Sequence, residues 1–75
     1  MLTVYSKPNC PQCRMTYIAL DRREVPYAVV DVTENEAALA YISEELGYSA
    51  APVVVIDDHE HWSGFRPDLI GAIAK

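Results

Sequence analysis

An α/β domain, with a small sheet flanked by helices, is the fold class this sequence predicts, and three observations predict it. Seventy-five residues leave room for one small domain. Short β-prone runs alternate with helical stretches in the order β-α-β-α-β-β-α. The only two cysteines stand directly after the first β-prone run, as Cys10-Pro11-Gln12-Cys13.

Composition sets further bounds. Hydrophobic residues make up 51% and charged residues 23%, a globular balance rather than a disordered one. Eleven acids against six Lys and Arg leave a net charge of −5. That argues against nucleic acid as a partner, because phosphate binding needs a basic footprint. The longest apolar run, Ala50 to Ile56, is far too short to span a bilayer, so no membrane is expected. Lys7, Pro8 and Asn9 interrupt the opening stretch before it can form a secretory signal, and the expected location is the cytosol.

Each element has its own justification. Leu2-Thr3-Val4-Tyr5-Ser6 reads as the first strand, stopped by the breaker Pro8-Asn9. Met15 to Arg23 reads as a helix, with Ile18 and Ala19 near one face and Arg14, Asp21, Arg22 and Arg23 in water. Tyr27 to Val32 follows Pro26 as a second, more buried strand, and a crossover helix makes the two strands parallel. Thr33 and Glu36 form a capping box for a helix running to about Leu46, with Leu39, Ile42 and Leu46 inward and Gly47 as C-terminal cap. Val53 to Ile56 is a third strand dense in β-branched residues. Asp57-Asp58 turns it into a hairpin partner, His59 to Ser63, and Gly64-Phe65 leads on to the last helix. Pro67 opens that helix, Asp68 lies in its first turn, and Leu69, Ile70 and Ile73 give it an apolar stripe. No linker, repeat or low-complexity tract divides the chain, which reads as one domain over residues 1–75. This order, with C-x-x-C after the first strand, describes a minimal thioredoxin fold.

The cysteine pair has three readings. As a staple it closes too short a loop to remove much unfolded-state entropy, about 2 kcal/mol at most. As half of a zinc site it needs two more ligands, and the candidates, His59 and His61, match no familiar zinc spacing. As a redox pair it fits, because C-x-x-C beside a βαβ pattern suggests thiol–disulfide chemistry.

A thiolate attacks a disulfide, so reactivity depends on lowering a cysteine pKa from about 8.5. Cys10 falls at the mouth of the first helix, where unpaired N–H groups favour negative charge. Lys7 and Arg14 flank it, and residues 7–14 contain no acid. Residues 24–65 contain no Lys or Arg, whereas eight of the eleven acids lie between Asp31 and Glu60, so the basic charge gathers near the cysteines and the C-terminal helix. The bland alternative is that Lys7 and Arg14 are ordinary solvated residues. Cys10, at the loop end, is expected to attack, and Cys13, one turn deeper, to resolve the mixed disulfide. Pro11 and Gln12 restrict the loop between them.

Several segments resemble the NrdH redoxins, small glutaredoxin-like proteins with thioredoxin-like behaviour. They are Cys10-Pro11-Gln12-Cys13 with Arg14-Met15-Thr16, then Ala51-Pro52-Val53, then Trp62-Ser63-Gly64-Phe65-Arg66-Pro67-Asp68. The resemblance covers essentially the whole chain, and its Trp62-to-Pro67 segment is quite specific. It implies strand order 2-1-3-4 in a four-stranded mixed sheet flanked by three helices. It implies a cis-proline at Pro52, beside the C-x-x-C loop, leaving the Ala51 backbone free to pair with an extended substrate. It also implies an electron donor to the large subunit of class Ib ribonucleotide reductase, re-reduced by NADPH-dependent thioredoxin reductase. No metal or organic cofactor is expected on the chain itself; NADPH and FAD belong to the reductase. A monomer suits a shuttle that docks on two partners. Pro11 departs from the Val or Met common in the family and makes the motif C-P-x-C, closer to glutaredoxins.

Rival readings follow from the same residues. A glutathione-dependent glutaredoxin would use Lys7, but Trp62 to Asp68 replaces its late Gly-Gly stretch with bulky residues, which reads as a filled or reshaped glutathione groove. Trp62 and Phe65 are either core aromatics or part of a docking surface, and Arg66 either pairs with an acid on a partner or caps the last helix. Pro52 is otherwise a plain strand-edge stop. His59 and His61, on one face of the hairpin strand, are either a solvated pair or, with the cysteines, part of a metal- or cluster-binding module.

Overall fold

Alternation along the strands sends two apolar sets to opposite faces of one sheet, and helices cover both. The computed structural model describes residues 2–73, so Lys75, one of the basic residues counted above, lies outside the described residues. The elements are β1 (Leu2–Ser6), α1 (Pro11–Arg22), β2 (Tyr27–Asp31), α2 (Glu36–Ala40) continued by a π-helical turn (Tyr41–Glu45), β3 (Val53–Val55), β4 (His61–Ser63) and α3 (Pro67–Ile73). The sheet runs β2-β1-β3-β4. β1 and β2 are parallel with Val4 opposite Val29, while β1–β3 and β3–β4 are antiparallel, with Val4 opposite Val54 and Val54 opposite Trp62. The fold is the thioredoxin-like α/β class that the element order predicts.

On one face Leu2, Val4, Val54 and Trp62 pack with Ala19 and Leu20 of α1 and Ile70 of α3. On the other, Val53 packs with Val32, Ala38 and Ile42, the last two from α2 and its π-helical turn. β1 and β3, central in the sheet, carry the fully buried Val4, Val53 and Val54.

Several local expectations need correction. α1 begins at Pro11 rather than Met15, because proline is tolerated at the first helical position and Cys10 acts as N-cap. Its buried residues are Cys13, Thr16, Ala19 and Leu20, while Ile18 is 45% exposed. β2 is a half-exposed edge strand, not the more buried one, and Val29 is open to solvent. No capping box forms at Thr33 and Glu36. Asn35 caps α2, its side chain accepting from the Ala38 N–H at 3.0 Å, and Thr33 instead donates to Asp31. The inward face is the i, i+4 pair Ala38 and Ile42, which are buried, whereas Leu46 is half-buried and Leu39 exposed. Gly47 closes this segment at φ +81°, where the Tyr48 N–H reaches the Ile42 carbonyl at 2.8 Å. β3 stops at Val55 and β4 starts at His61, because Asp57 accepts from the His59 and Glu60 N–H groups and holds the intervening residues in a turn.

Candidate active site

Three loops meet at the N-terminus of α1. The first leads from β1, where Lys7, Pro8 and Asn9 are exposed and Asn9 takes φ +56°, a left-handed conformation asparagine tolerates better than most residues. That reversal delivers Cys10 as the N-cap of α1. Cys10 and Cys13 form a disulfide with Cα atoms 5.2 Å apart. The Cys13 N–H donates to Cys10 Sγ at 3.2 Å, so an orphan donor of the first helical turn is aimed at this sulfur, and that first turn contains no acid. The two sulfurs sit in different environments: Cys10 is half-buried, whereas Cys13 is 2% exposed. Thr16, fully buried one turn further on, donates from Oγ1 to the Gln12 carbonyl at 2.9 Å and ties the motif to the helix.

The second loop enters β3 through Ala51-Pro52, whose peptide bond is cis. The third joins β4 to α3. The Gly64 N–H donates to the Pro52 carbonyl at 2.8 Å, and the Phe65 N–H donates to Gln12 Oε1 at 3.0 Å. Ser63 Oγ adds a bond to the Ala50 carbonyl at 3.0 Å. Residues 63–65 therefore lace the cysteine loop to the Pro52 loop. Gly64 takes φ +86°, a left-handed conformation that favours glycine, and a Cβ there would stand 3.4 Å from Gln12 Oε1.

Comparisons with known proteins agree with this geometry. The family model described as glutaredoxin matches residues 2–62. The glutaredoxin-like protein NrdH of Lactococcus lactis subsp. cremoris is 38% identical over 74 residues, covering 99% of this chain and 100% of its own. The chain belongs to the NrdH redoxins of the glutaredoxin family. The Escherichia coli K12 glutaredoxin-like protein NrdH is 36% identical over 73 residues, covering 96% of this chain and 86% of its own. The solved NrdH-redoxin from Escherichia coli, a glutaredoxin-like protein with a thioredoxin-like activity profile, superposes with a TM-score of 0.90 at 31% identity, covering 99% of this chain and 95% of that one. The redoxin is accordingly a thiol–disulfide oxidoreductase with its C-x-x-C disulfide at the helix mouth.

Not every candidate residue of this redoxin gathers around the disulfide. Gln12, Gly64 and Phe65 are hydrogen-bonded into one network with Pro52, and Arg14 lines a surface depression with Cys10 and Pro11. Lys7 and Ala51 border a separate groove of about 570 Å³, walled by Leu39, Ile42 and Tyr48. Trp62 departs from the docking-surface expectation, since it is 7% exposed and belongs to the core, its Nε1 buried without a partner. Its place opposite Val54 in the sheet turns the ring under α1 and α3. Arg66, just before α3, pairs with Asp68 of its first turn at 3.0 Å; this raises the guanidinium pKa and lowers that of the carboxyl.

The histidines do not share a strand face. His61 lies in β4 and His59 in the turn before it, and His61 Nδ1 is 2.7 Å from the Tyr48 hydroxyl. Among the described residues, no group of three or more His, Cys, Asp or Glu is placed to hold a metal ion. The Gln12–Phe65 bond spans 53 residues of sequence and had no local signal; only the glycine at 64 hinted at a close approach.

Proposed function

We propose that this redoxin carries electrons from an NADPH-dependent thioredoxin reductase to the large subunit of a class Ib ribonucleotide reductase. The observation that carries the reading is the pairing of a half-exposed Cys10 with a buried Cys13 in a chain that belongs to the NrdH redoxins. The Cys10 thiolate attacks a client disulfide, and one client sulfur leaves as thiolate. Cys13 then attacks Cys10 Sγ in the mixed disulfide and releases the second client thiol. The client gains two electrons and two protons, and the redoxin becomes the Cys10–Cys13 disulfide. The reductase returns two electrons drawn from NADPH. Arg14 supplies positive charge beside the reacting sulfur, Lys7 adds positive charge from the neighbouring groove it borders, and the Ala51 backbone, next to Pro52, pairs with the client segment. The redoxin acts in the cytosol as a single-domain monomer with no cofactor of its own.

A second reading, a glutathione-dependent dithiol glutaredoxin, is favoured by one observation. The groove beside Lys7 and Ala51 stays open and is wide enough for a tripeptide-sized ligand. NADPH consumption with a disulfide client separates the two. Turnover with thioredoxin reductase, and none with glutathione plus glutathione reductase, is expected; the reverse would assign the protein to glutathione. Cys10→Ser abolishes turnover in either system, and Cys13→Ser accumulates a mixed disulfide at Cys10, read as a mass increase equal to the client thiol less the hydrogens lost in forming the disulfide.

A further inference from the structure

A strip of surface runs away from the disulfide along the outside of α1 and is unlike the rest of the molecule. Met15 is 46% and Ile18 45% exposed, and they lie three residues apart on the same helical face. Beside them, Phe65 and Pro67 complete a groove of about 300 Å³ that also takes in Arg22 and Arg23. Met15 lines this groove and also the depression holding Cys10, Pro11 and Arg14, so the two share a wall.

The charge of the strip is opposite to that of the chain. Arg14, Arg22 and Arg23 border it and enter no ion pair among the described residues, in a protein of net charge −5. The one acid of α1, Asp21, accepts a hydrogen bond from the Tyr27 hydroxyl of β2. Apolar side chains left in water and rimmed by unpaired arginines match an apolar anchor flanked by carboxylates. The shape is linear: α1 rises about 16 Å from Pro11 to Arg22, a span that an extended chain covers in about five residues.

We propose that this strip seats the client segment adjoining the cysteine that Cys10 attacks. The redoxin thereby selects disulfide proteins whose redox cysteine is flanked by apolar residues interspersed with Asp or Glu. This deepens the proposed function and rests on client reduction through Cys10; it does not depend on which system re-reduces the protein.

The test uses the full chain reduced chemically with dithiothreitol and freed of it. Two peptides carry one cysteine each as a mixed disulfide with a chromogenic thiol, followed by alternating Glu and Leu in one and by alternating Lys and Gly in the other. Cys10 attacks the peptide sulfur, the chromogenic thiolate leaves, and Cys13 releases the peptide thiol. Rates for every redoxin variant are normalised to its own rate on a small symmetric disulfide. The acidic, apolar peptide is expected to react about tenfold faster at low ionic strength, with the preference shrinking several-fold in about 0.5 M salt. Arg22→Glu should bring the ratio close to one, and Ile18→Ser should lower it at either salt concentration. A ratio below about two in the natural protein, or one unchanged by Arg22→Glu, would overturn the proposal. Failure of thioredoxin reductase to reduce the disulfide would instead refute the electron route and leave the peptide ratio standing.

Discussion

The side chain of Gln12 accepts the Phe65 N–H at 3.0 Å, joining a residue between the two cysteines to the turn that opens α3. The next N–H along that turn, from Gly64, reaches the Pro52 carbonyl. The C-x-x-C loop and the loop entering β3 are thus held in register through two consecutive backbone donors, without either loop touching the other by a hydrogen bond of its own.

Removing this tie is expected to loosen the site before it unfolds the protein. Gln12→Ala should cost about 1 kcal/mol of stability, the usual worth of a partly exposed hydrogen bond. It should also slow client reduction several-fold. Urea denaturation and exchange rates on the same samples check both parts.

Gly64→Ala attacks the same tie from the other end. The substitution places a Cβ at φ +86° and 3.4 Å from Gln12 Oε1. A loss of about 1 kcal/mol is expected from the left-handed conformation. In a double-mutant cycle with Gln12→Ala the two losses should fall short of additive, because a backbone pushed away from φ +86° at residue 64 also displaces the Phe65 N–H from Gln12.

Leu20 is fully buried where α1 meets the sheet and α3. Leu20→Ala should cost about 2–5 kcal/mol through lost burial and the cavity left behind. For a chain this short, whose total stability is roughly 4–11 kcal/mol on the usual per-residue scale, that is a large share. The variant should show a sharply lower urea midpoint.

Part of the acid sensitivity should arise in the turn between β3 and β4, beside that of Asp68 paired with Arg66. Asp57 accepts N–H bonds from His59 and Glu60, which hold its carboxyl below the ordinary aspartate value. The unfolded chain therefore binds the proton more readily, and stability from this group is present above the ordinary aspartate pKa and lost as pH falls through the lowered one. Asp57→Asn should flatten the decline of the urea midpoint below about pH 4. An unchanged slope would show that the turn does not couple to folding.

Much of this fold was legible because breakers and caps act locally. Pro8-Asn9 marks the stop of β1, Gly47 the end of the second helical segment, and Pro67 the start of α3, each for a reason contained in one or two residues. The cysteine motif was legible for the same reason. What local pattern could not show was strand order: Tyr27 to Asp31 is apolar enough for a central strand, yet it takes an edge, because only the pairing of β1 with β3 decides which strand is covered on both sides. Leu39 misleads because the small Ala38 beside it, one turn from Ile42, takes the inward position and leaves the larger side chain in water. Trp62 misleads through the company it keeps: its neighbours Ser63, Gly64 and Phe65 hydrogen-bond to the loops around the disulfide, whereas its own ring packs in the core.

The burial of Cys13 has a consequence for traffic. In the disulfide form Cys13 is 2% exposed whereas Cys10 lines a surface depression, so on the proposed function the thiol that reduces the protein enters at the same atom from which the client later departs. One doorway serves both visitors, and they must alternate. Steady-state kinetics should then follow a ping-pong pattern, and a crowd of client held at Cys10 would delay recharging instead of hastening turnover.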